Sequence, residues 1–168
     1  MGDVQIREWG APGDLGWVLK SHGELYAAEY GFDHSFEQSV SRTIAGFAQA
    51  DPARRRGWIA ELDGRRIGSI ACPPSDIGED EVAQLRLLLL HPDARGIGLG
   101  GRLVDTCLAF ARETGFRRIR LFTVDVLTAA RALYERRGFT LTHQAPHAGF
   151  GPPVIGMVYE RDLAGSPG

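Results

Sequence analysis

The segment Arg95-Gly96-Ile97-Gly98-Leu99-Gly100-Gly101 places four glycines within six residues, between an apolar run and a helical pattern. Glycine lets successive N–H groups converge on one concavity and lets an anion approach the backbone closely. A helix that starts there adds the positive end of its dipole. The chemistry expected of this loop is the holding of a phosphate or diphosphate. Two cofactor classes fit that description. Gly96-x-Gly98-x-x-Gly101, with Asp125 at the end of the next strand, also matches a dinucleotide fingerprint. In that fold the first glycine follows its strand almost at once, whereas here His91-Pro92-Asp93-Ala94-Arg95 intervene. A hairpin and two helices precede the loop, and too little chain follows it to complete a doubly wound sheet. The nicotinamide reading is the weaker one.

The elements that must position this loop are readable from periodicity. Val4 to Glu8 alternates as a strand. Pro12 and Gly13 break the chain, and Asp14 is expected to cap a helix that runs to about Glu29. Phe36, Val40, Ile44 and Phe47 predict a second helix from Ser35 to near Asp51-Pro52. Trp58–Leu62 and Arg65–Ala71, joined by Asp63-Gly64, predict a hairpin. Pro73-Pro74 ends it. Ala83 to Leu90 is an apolar run broken only by Gln84 and Arg86, and is expected to form one central strand. Leu103, Val104, Cys107, Leu108 and Ala111 share a helical face that Gly115 terminates. Arg118–Val124 then predicts a strand and Thr128–Arg137 a helix ended by Gly138. Phe139–Thr142 and Val154–Asp162 predict two last strands around a loop rich in His, Gly and Pro. The order predicts an α/β domain over residues 1–163 with a frayed tail over 164–168. Its sheet should be mixed, mostly antiparallel, of about seven strands flanked by about four helices, with one central parallel pair.

Composition excludes several classes. The chain has 168 residues, 43% hydrophobic and 24% charged, with a formal charge of −2, which argues against an obligatory nucleic-acid partner. No run approaches the ~18 apolar residues of a membrane span. The start MGDVQIREWG lacks the basic patch and apolar stretch of a secretory leader, so a cytoplasmic protein is expected. Cys72 and Cys107 have no metal-ligand or disulfide spacing. They are expected to be buried apolar fillers, and no metal is expected.

The segment Gln84 to Gly100 resembles the acetyl-CoA signature of the GCN5-related N-acetyltransferases (GNAT). Arg95-x-x-Gly98-x-Gly100 matches their Arg/Gln-x-x-Gly-x-Gly/Ala loop, and Ala130-x-x-Leu133-Tyr134-x-x-x-Gly138-Phe139 resembles their second cofactor motif. The front half, Asp14-Leu15-Gly16-Trp17 with His22-Gly23-x-Leu25-Tyr26 and Glu29-Tyr30-Gly31, is similar to a subgroup often fused behind MarR-type regulators. The resemblance implies acetyl-CoA as cosubstrate and a small-molecule, amino-acid or peptide amine as acceptor, and leaves a homodimer open. Strands near Leu85–Leu90 and Ile119–Val124 would splay. Pantetheine would then pair with the backbone of Leu88, Leu89 and Leu90. The diphosphate would lie on the loop Gly96, Ile97, Gly98, Leu99, Gly100 and Gly101, with Arg95 and Arg102 adding charge.

Acyl transfer to an amine needs a neutral amine, a donor for the developing oxyanion and a proton for the departing thiolate. The resemblance gives the last role to Tyr134, and a bulged strand around Leu88–Leu89 would offer the oxyanion donor. Many family members have Glu where this chain has Gln84. The base is then to be sought among Glu61, Glu81, His143 and His147, in a water chain, or in an acceptor of low pKa. The family's usual Asn before the second motif is absent, and Asp125 is the candidate replacement. His22, Tyr26, Glu29, Tyr30 and Phe32, with His143, His147 and Phe150 from the last loop, are expected to line the acceptor site. An acidic and aromatic lining would suit a cationic amine. A non-catalytic acyl-CoA-binding module is the alternative.

Overall fold

The computed structural model describes residues 2–76 and 80–163. The expected frayed tail over 164–168 lies outside the described residues. The elements are β1 (Val4–Glu8), α1 (Asp14–Tyr30), α2 (His34–Gln49), β2 (Arg56–Leu62), β3 (Arg65–Cys72), β4 (Val82–Gln84), β5 (Arg86–Leu90), α3 (Leu99–Thr114), β6 (Arg118–Val124), α4 (Thr128–Arg136), β7 (Thr140–His147) and β8 (Val154–Asp162). The α/β class, the four helices and the hairpin are as expected. Asp63 and Gly64 both adopt positive φ, 52° and 75°, the pairing a two-residue turn needs to match strand twist.

The central strand is where the structure departs from expectation. The run from Ala83 to Leu90 is two strands that belong to two different four-stranded sheets, β1-β2-β3-β5 and β4-β6-β8-β7. β4 pairs in parallel with β6 as far as Gln84↔Arg120, and the Leu85 N–H donates to Arg120 O at 2.9 Å. From Arg86 onward the chain pairs antiparallel with β3 instead. The eight strands thus diverge into a V at Leu85. Leu87 takes φ 58°, a left-handed conformation that costs a side-chain-bearing residue about 1–2 kcal/mol. The register passes from Ala71↔Arg86 to Ser69↔Leu89, so Ile70 faces both Leu87 and Leu88 in a bulge. The buried Ser69 hydroxyl donates to Leu87 O at 2.7 Å and so satisfies the carbonyl that the bulge displaces.

Helix ends follow local chemistry, with one correction. Gly13, not Asp14, is the N-cap of α1, at φ 90° without a side-chain cap bond. Asp14 is the first helical residue, and its carboxylate accepts from Arg7, Arg66 and the N–H groups of Gly10 and Ala11 at 2.8–2.9 Å. α2 begins one residue early because the Asp33 side chain accepts from Ser35 N–H. α3 ends at Gly115 (φ 94°). α4 closes in a Schellman motif, with Gly138 N–H on Glu135 O and Phe139 N–H on Tyr134 O, both 3.1 Å.

The core lies between α3 and the sheets. Leu103, Val104, Cys107, Leu108 and Ala111 are all buried, as are both thiols. The strand expected to stop at Thr142 continues to His147, paired with β8 from Thr140↔Glu160 to His147↔Val154. Ladder bonds from β8 override the turn-like composition, and Pro146 is tolerated because β7 is an edge strand. No described helix is long and apolar enough to cross a membrane.

Candidate active site

The V between β5 and β6 opens the site. On one side a cavity of about 190 Å³ is walled by Leu88, Leu89 and Leu90 of β5, by Tyr26, Glu29 and Tyr30 of α1, and by Ala130 and Leu133 of α4. A second cavity, about 140 Å³, reaches Tyr134, His22, Phe36, Arg86, Phe122 and Phe150. Tyr26, Leu88, Leu127 and Ala130 line both, so the two spaces meet there.

At the mouth of the first cavity the chain turns into the glycine loop. Gly96 and Gly98 take φ 80° and 77°, and an added Cβ at either would meet nothing within 4 Å. Gly98 caps α3. The first backbone donation into the helix is Arg102 N–H to Gly98 O, so the amides of Leu99, Gly100 and Gly101 are the free donors of a helix start. Gly100 packs closely, because a Cβ there would lie 3.0 Å from the tip of the Leu133 side chain. The loop therefore fits a diphosphate through its amides and the helix dipole. The flanking cations have protein partners. Arg95 pairs bidentately with Glu29 at 2.6 and 3.1 Å, which raises its pKa further. Arg102 donates weakly to Val4 O. The Arg95–Glu29 pair ties α1 to the loop over the first cavity, so Glu29 lines that cavity and not the second.

Tyr134 is 6% exposed, with its ring 5.9 Å from Phe139 and 6.4 Å from Tyr159. Its hydroxyl has no hydrogen-bond partner among the described residues, although the residue lines the second cavity. Burial pushes the phenol well above its ordinary value, so it holds its proton at neutral pH. Tyr26 sits in an aromatic cluster with Phe32, Phe36 and Tyr30. Its hydroxyl donates to Leu88 O at 3.4 Å, and burial raises its pKa too.

Several expected residues fall elsewhere. Glu61 pairs with Arg7 at 2.7 Å on β2, and Glu81 pairs with Arg117 in solvent. His143 is exposed on β7. His147 packs edge-on against Phe122 and Phe150 behind the cavity wall, and its Nε2 is buried without a partner among the described residues. Neither histidine lines either cavity, because both lie on the extended β7 and not on a loop. One carboxylate oxygen of Asp125 accepts from Ile155 N–H at 2.8 Å, and the residue lines neither cavity. The bulge lies at Leu87–Leu88, one residue earlier than the expected Leu88–Leu89.

Among the described residues no Asp or Glu lines the second cavity, Glu29 lining the first instead, and Arg86 lines the second. The signal for it was present, because Arg86 is one of only two polar residues in the apolar run from Ala83 to Leu90. His22 is the one imidazole in the lining. Its Nδ1 lies 2.7 Å from Val18 O, and since a carbonyl only accepts, Nδ1 carries the proton and Nε2 is the acceptor. Burial lowers its pKa to about 4.

Because Ser69 pins the bulge, Ser69→Ala is expected to lower stability by about 1–3 kcal/mol through the stranded Leu87 carbonyl. It should also raise the acetyl-CoA Kd. Urea unfolding and calorimetry read the two effects, and unchanged values in both would remove the bulge from the site.

The chain matches the acetyltransferase (GNAT) family over residues 17–139. It is 43% identical over 142 residues to a mycothiol acetyltransferase of Geodermatophilus obscurus, covering 82% of this chain and 44% of that protein. It is 32% identical over 124 residues to a mycothiol acetyltransferase of Cellulomonas flavigena, covering 66% of this chain and 35% of that protein. The chain thus spans less than half the length of these curated relatives. An acetyltransferase of Salmonella typhimurium solved with acetyl-CoA superposes at a TM-score of 0.77, with 18% identity, over 98% of this chain and 96% of that one.

Proposed function

The chain belongs to the acetyltransferase (GNAT) family, and from that premise we propose that it transfers an acetyl group from acetyl-CoA to a primary amine of a small molecule, amino acid or peptide. Direct attack by the amine is the proposed route. The observation that carries this reading is the meeting of the two cavities beside the Leu87–Leu88 bulge, with Tyr134 in the wall. The likeness of residues 14–31 to the subgroup often fused to MarR-type regulators is retained as part of the proposal. The acceptor named for the longer relatives is not carried over.

When bound, acetyl-CoA supplies a thioester carbonyl and a thiol leaving group. The loop from Gly96 to Gly101 holds the diphosphate by backbone N–H groups. Leu88–Leu90 present their backbone to the pantetheine, and α1 and α4 exclude water from it. Tyr134 Oη gives its proton to the departing sulfur and is reprotonated as the nitrogen loses one. Neutral amine plus thioester yields amide plus thiol, so the protons balance.

Among the described residues, no side chain lining the second cavity is a base strong enough to take a proton from an alkyl ammonium. His22, at about 4, is weaker than an amine of pKa ~10 by ~6 units, or ~8 kcal/mol. The amine must therefore enter neutral. kcat/KM should rise about tenfold per pH unit until the acceptor's own pKa, with no break in the range from pH 5 to that value. A plateau in that range, measured by thiol release, would reveal a base and overturn this account. The lack of a carboxylate also favours the alternative of an acyl-CoA-binding module. Binding of acetyl-CoA without thiol release across amines, amino acids and peptides would establish that alternative.

A further inference from the structure

The second cavity is an aromatic box with a single cationic side chain in its lining. Phe36, Phe122, Phe150 and Tyr26 supply apolar walls, and among the described residues Arg86 is the only Arg or Lys in the lining. Arg86 stands at the first position of β5 with its side chain 29% exposed. Two partners orient it. Its Nε donates to Gln84 Oε1 at 3.0 Å and its Nη2 to Asp76 Oδ2 at 3.2 Å. Gln84 is itself held by Asp76, through Nε2 to Oδ1 at 3.3 Å. A guanidinium has five N–H donors, and Nη1 has no protein partner among the described residues.

The charge balance in this corner is specific. Gln84 orients Arg86 without neutralising it, where a carboxylate at the same position would do both. Asp76 is 67% exposed, and an exposed carboxylate in contact with water offsets a charge weakly. Burial opposes the charged form of Arg86, so a guanidinium in this setting gains from a further anion. The same charge repels an ammonium entering the cavity, which lowers the amine's pKa and favours the neutral form that attack requires. Cationic amines without an anionic group of their own are disfavoured twice, once by the missing carboxylates and once by Arg86.

Resting on the acetyltransferase reading above, we propose that the acceptor is a compact amine that carries its own carboxylate, and that Arg86 binds this carboxylate while Gln84 holds the guanidinium in place. The planar fork of Arg fits a carboxylate through two parallel N–H bonds. The cavity of about 140 Å³ has room for a compact acceptor, and its rings accommodate an apolar or aromatic side group.

The test pairs acceptors that differ only in the carboxylate: glycine with glycinamide, β-alanine with β-alaninamide, and phenylalanine with phenylalaninamide and phenethylamine. Thiol release is measured for the wild type, Arg86→Gln and Gln84→Glu, and rates are compared per neutral amine. In the wild type the acid of at least one pair should exceed its amide about 10–100-fold in kcat/KM, the size of one charge-assisted contact. That ratio should fall towards one in Arg86→Gln and to an intermediate value in Gln84→Glu, which keeps the hydrogen bond but neutralises the charge. Acetyl-CoA affinity and the melting temperature show that the variants are folded. A second arm needs no turnover: calorimetry of N-acetylphenylalanine and its amide on the CoA-loaded protein should show the same Arg86-dependent preference. Acids favoured in neither arm, or a preference that survives Arg86→Gln, overturns the proposal, and thiol release with the amides would then leave the acetyltransferase reading intact. Arg86-dependent binding of the N-acetyl acid without any thiol release supports the proposal and overturns the catalytic reading instead.

Discussion

Tyr134→Phe should lower kcat by about 10²-fold or more, the scale of a lost general acid, while the acetyl-CoA Kd stays within about twofold. The ring does the packing: it lies against Phe139 and Tyr159 and is 6% exposed. Phe keeps that ring, so the fold should be unaffected. The hydroxyl has no protein partner to strand among the described residues, and removing it should shift the melting temperature by no more than about 2 °C. A structural role for the hydroxyl would show the reverse pattern, with stability falling and kcat holding. A loss of cofactor affinity equal to the loss of kcat would place Tyr134 in binding and not in proton transfer. Rapid-mixing kinetics with a thiol reagent, beside calorimetry of acetyl-CoA, separates the three.

Asp14→Ala is expected to produce the largest loss of stability, about 3 kcal/mol or more, because it breaks a buried charge network. The Asp14 side chain is 2% exposed and pairs with Arg7 and Arg66. It also accepts from Gly10 and Ala11 N–H groups that would lose their partner. For a chain of this size that corresponds to a fall of roughly 6–12 °C in melting temperature. Asp14→Asn keeps the volume and one acceptor, and should fall between wild type and Ala. The network also sets an acid dependence. Arg7 and Arg66 hold the Asp14 carboxyl well below the ordinary carboxylate range. Its stabilisation is therefore complete above the unfolded value of ~3.9 and is lost as pH falls below that value toward the folded one. Wild type should destabilise more steeply than Asp14→Ala between pH 4 and the lowest pH at which both fold. Parallel denaturation curves at each pH would remove Asp14 from the acid response.

Much of the scaffold was legible because its signals are local. Periodicity placed α3 and its buried face, Asp63-Gly64 placed the hairpin, and Gly115 and Gly138 placed two helix ends, since each depends on neighbours within a few residues. The division of the run Ala83–Leu90 was not legible. An apolar segment broken only by Gln84 and Arg86 satisfies one strand or two equally well, and only pairing with β6 on one side and β3 on the other separates them at Leu85. The extent of β7 failed for the same reason. Its Pro, His and Gln composition reads as a loop, yet β8 supplies ladder partners as far as His147.

The glycine loop illustrates the division most clearly for the site. Its residue types alone determined that a phosphate-bearing ligand could approach the backbone ahead of α3, because glycine's conformational freedom and a helix start are properties of the local chain. Tertiary structure decided what surrounds that ligand. Glu29, 66 residues away from Arg95, closes on it and joins the cofactor side, while Glu61, Glu81 and His143 are carried to other surfaces. Arg86, Gln84 and Asp76 converge because the V at Leu85 turns the start of β5 into the second cavity. A cavity's charge is a sum over side chains from α1, α2, β5, β6 and α4, and no stretch of sequence contains that sum.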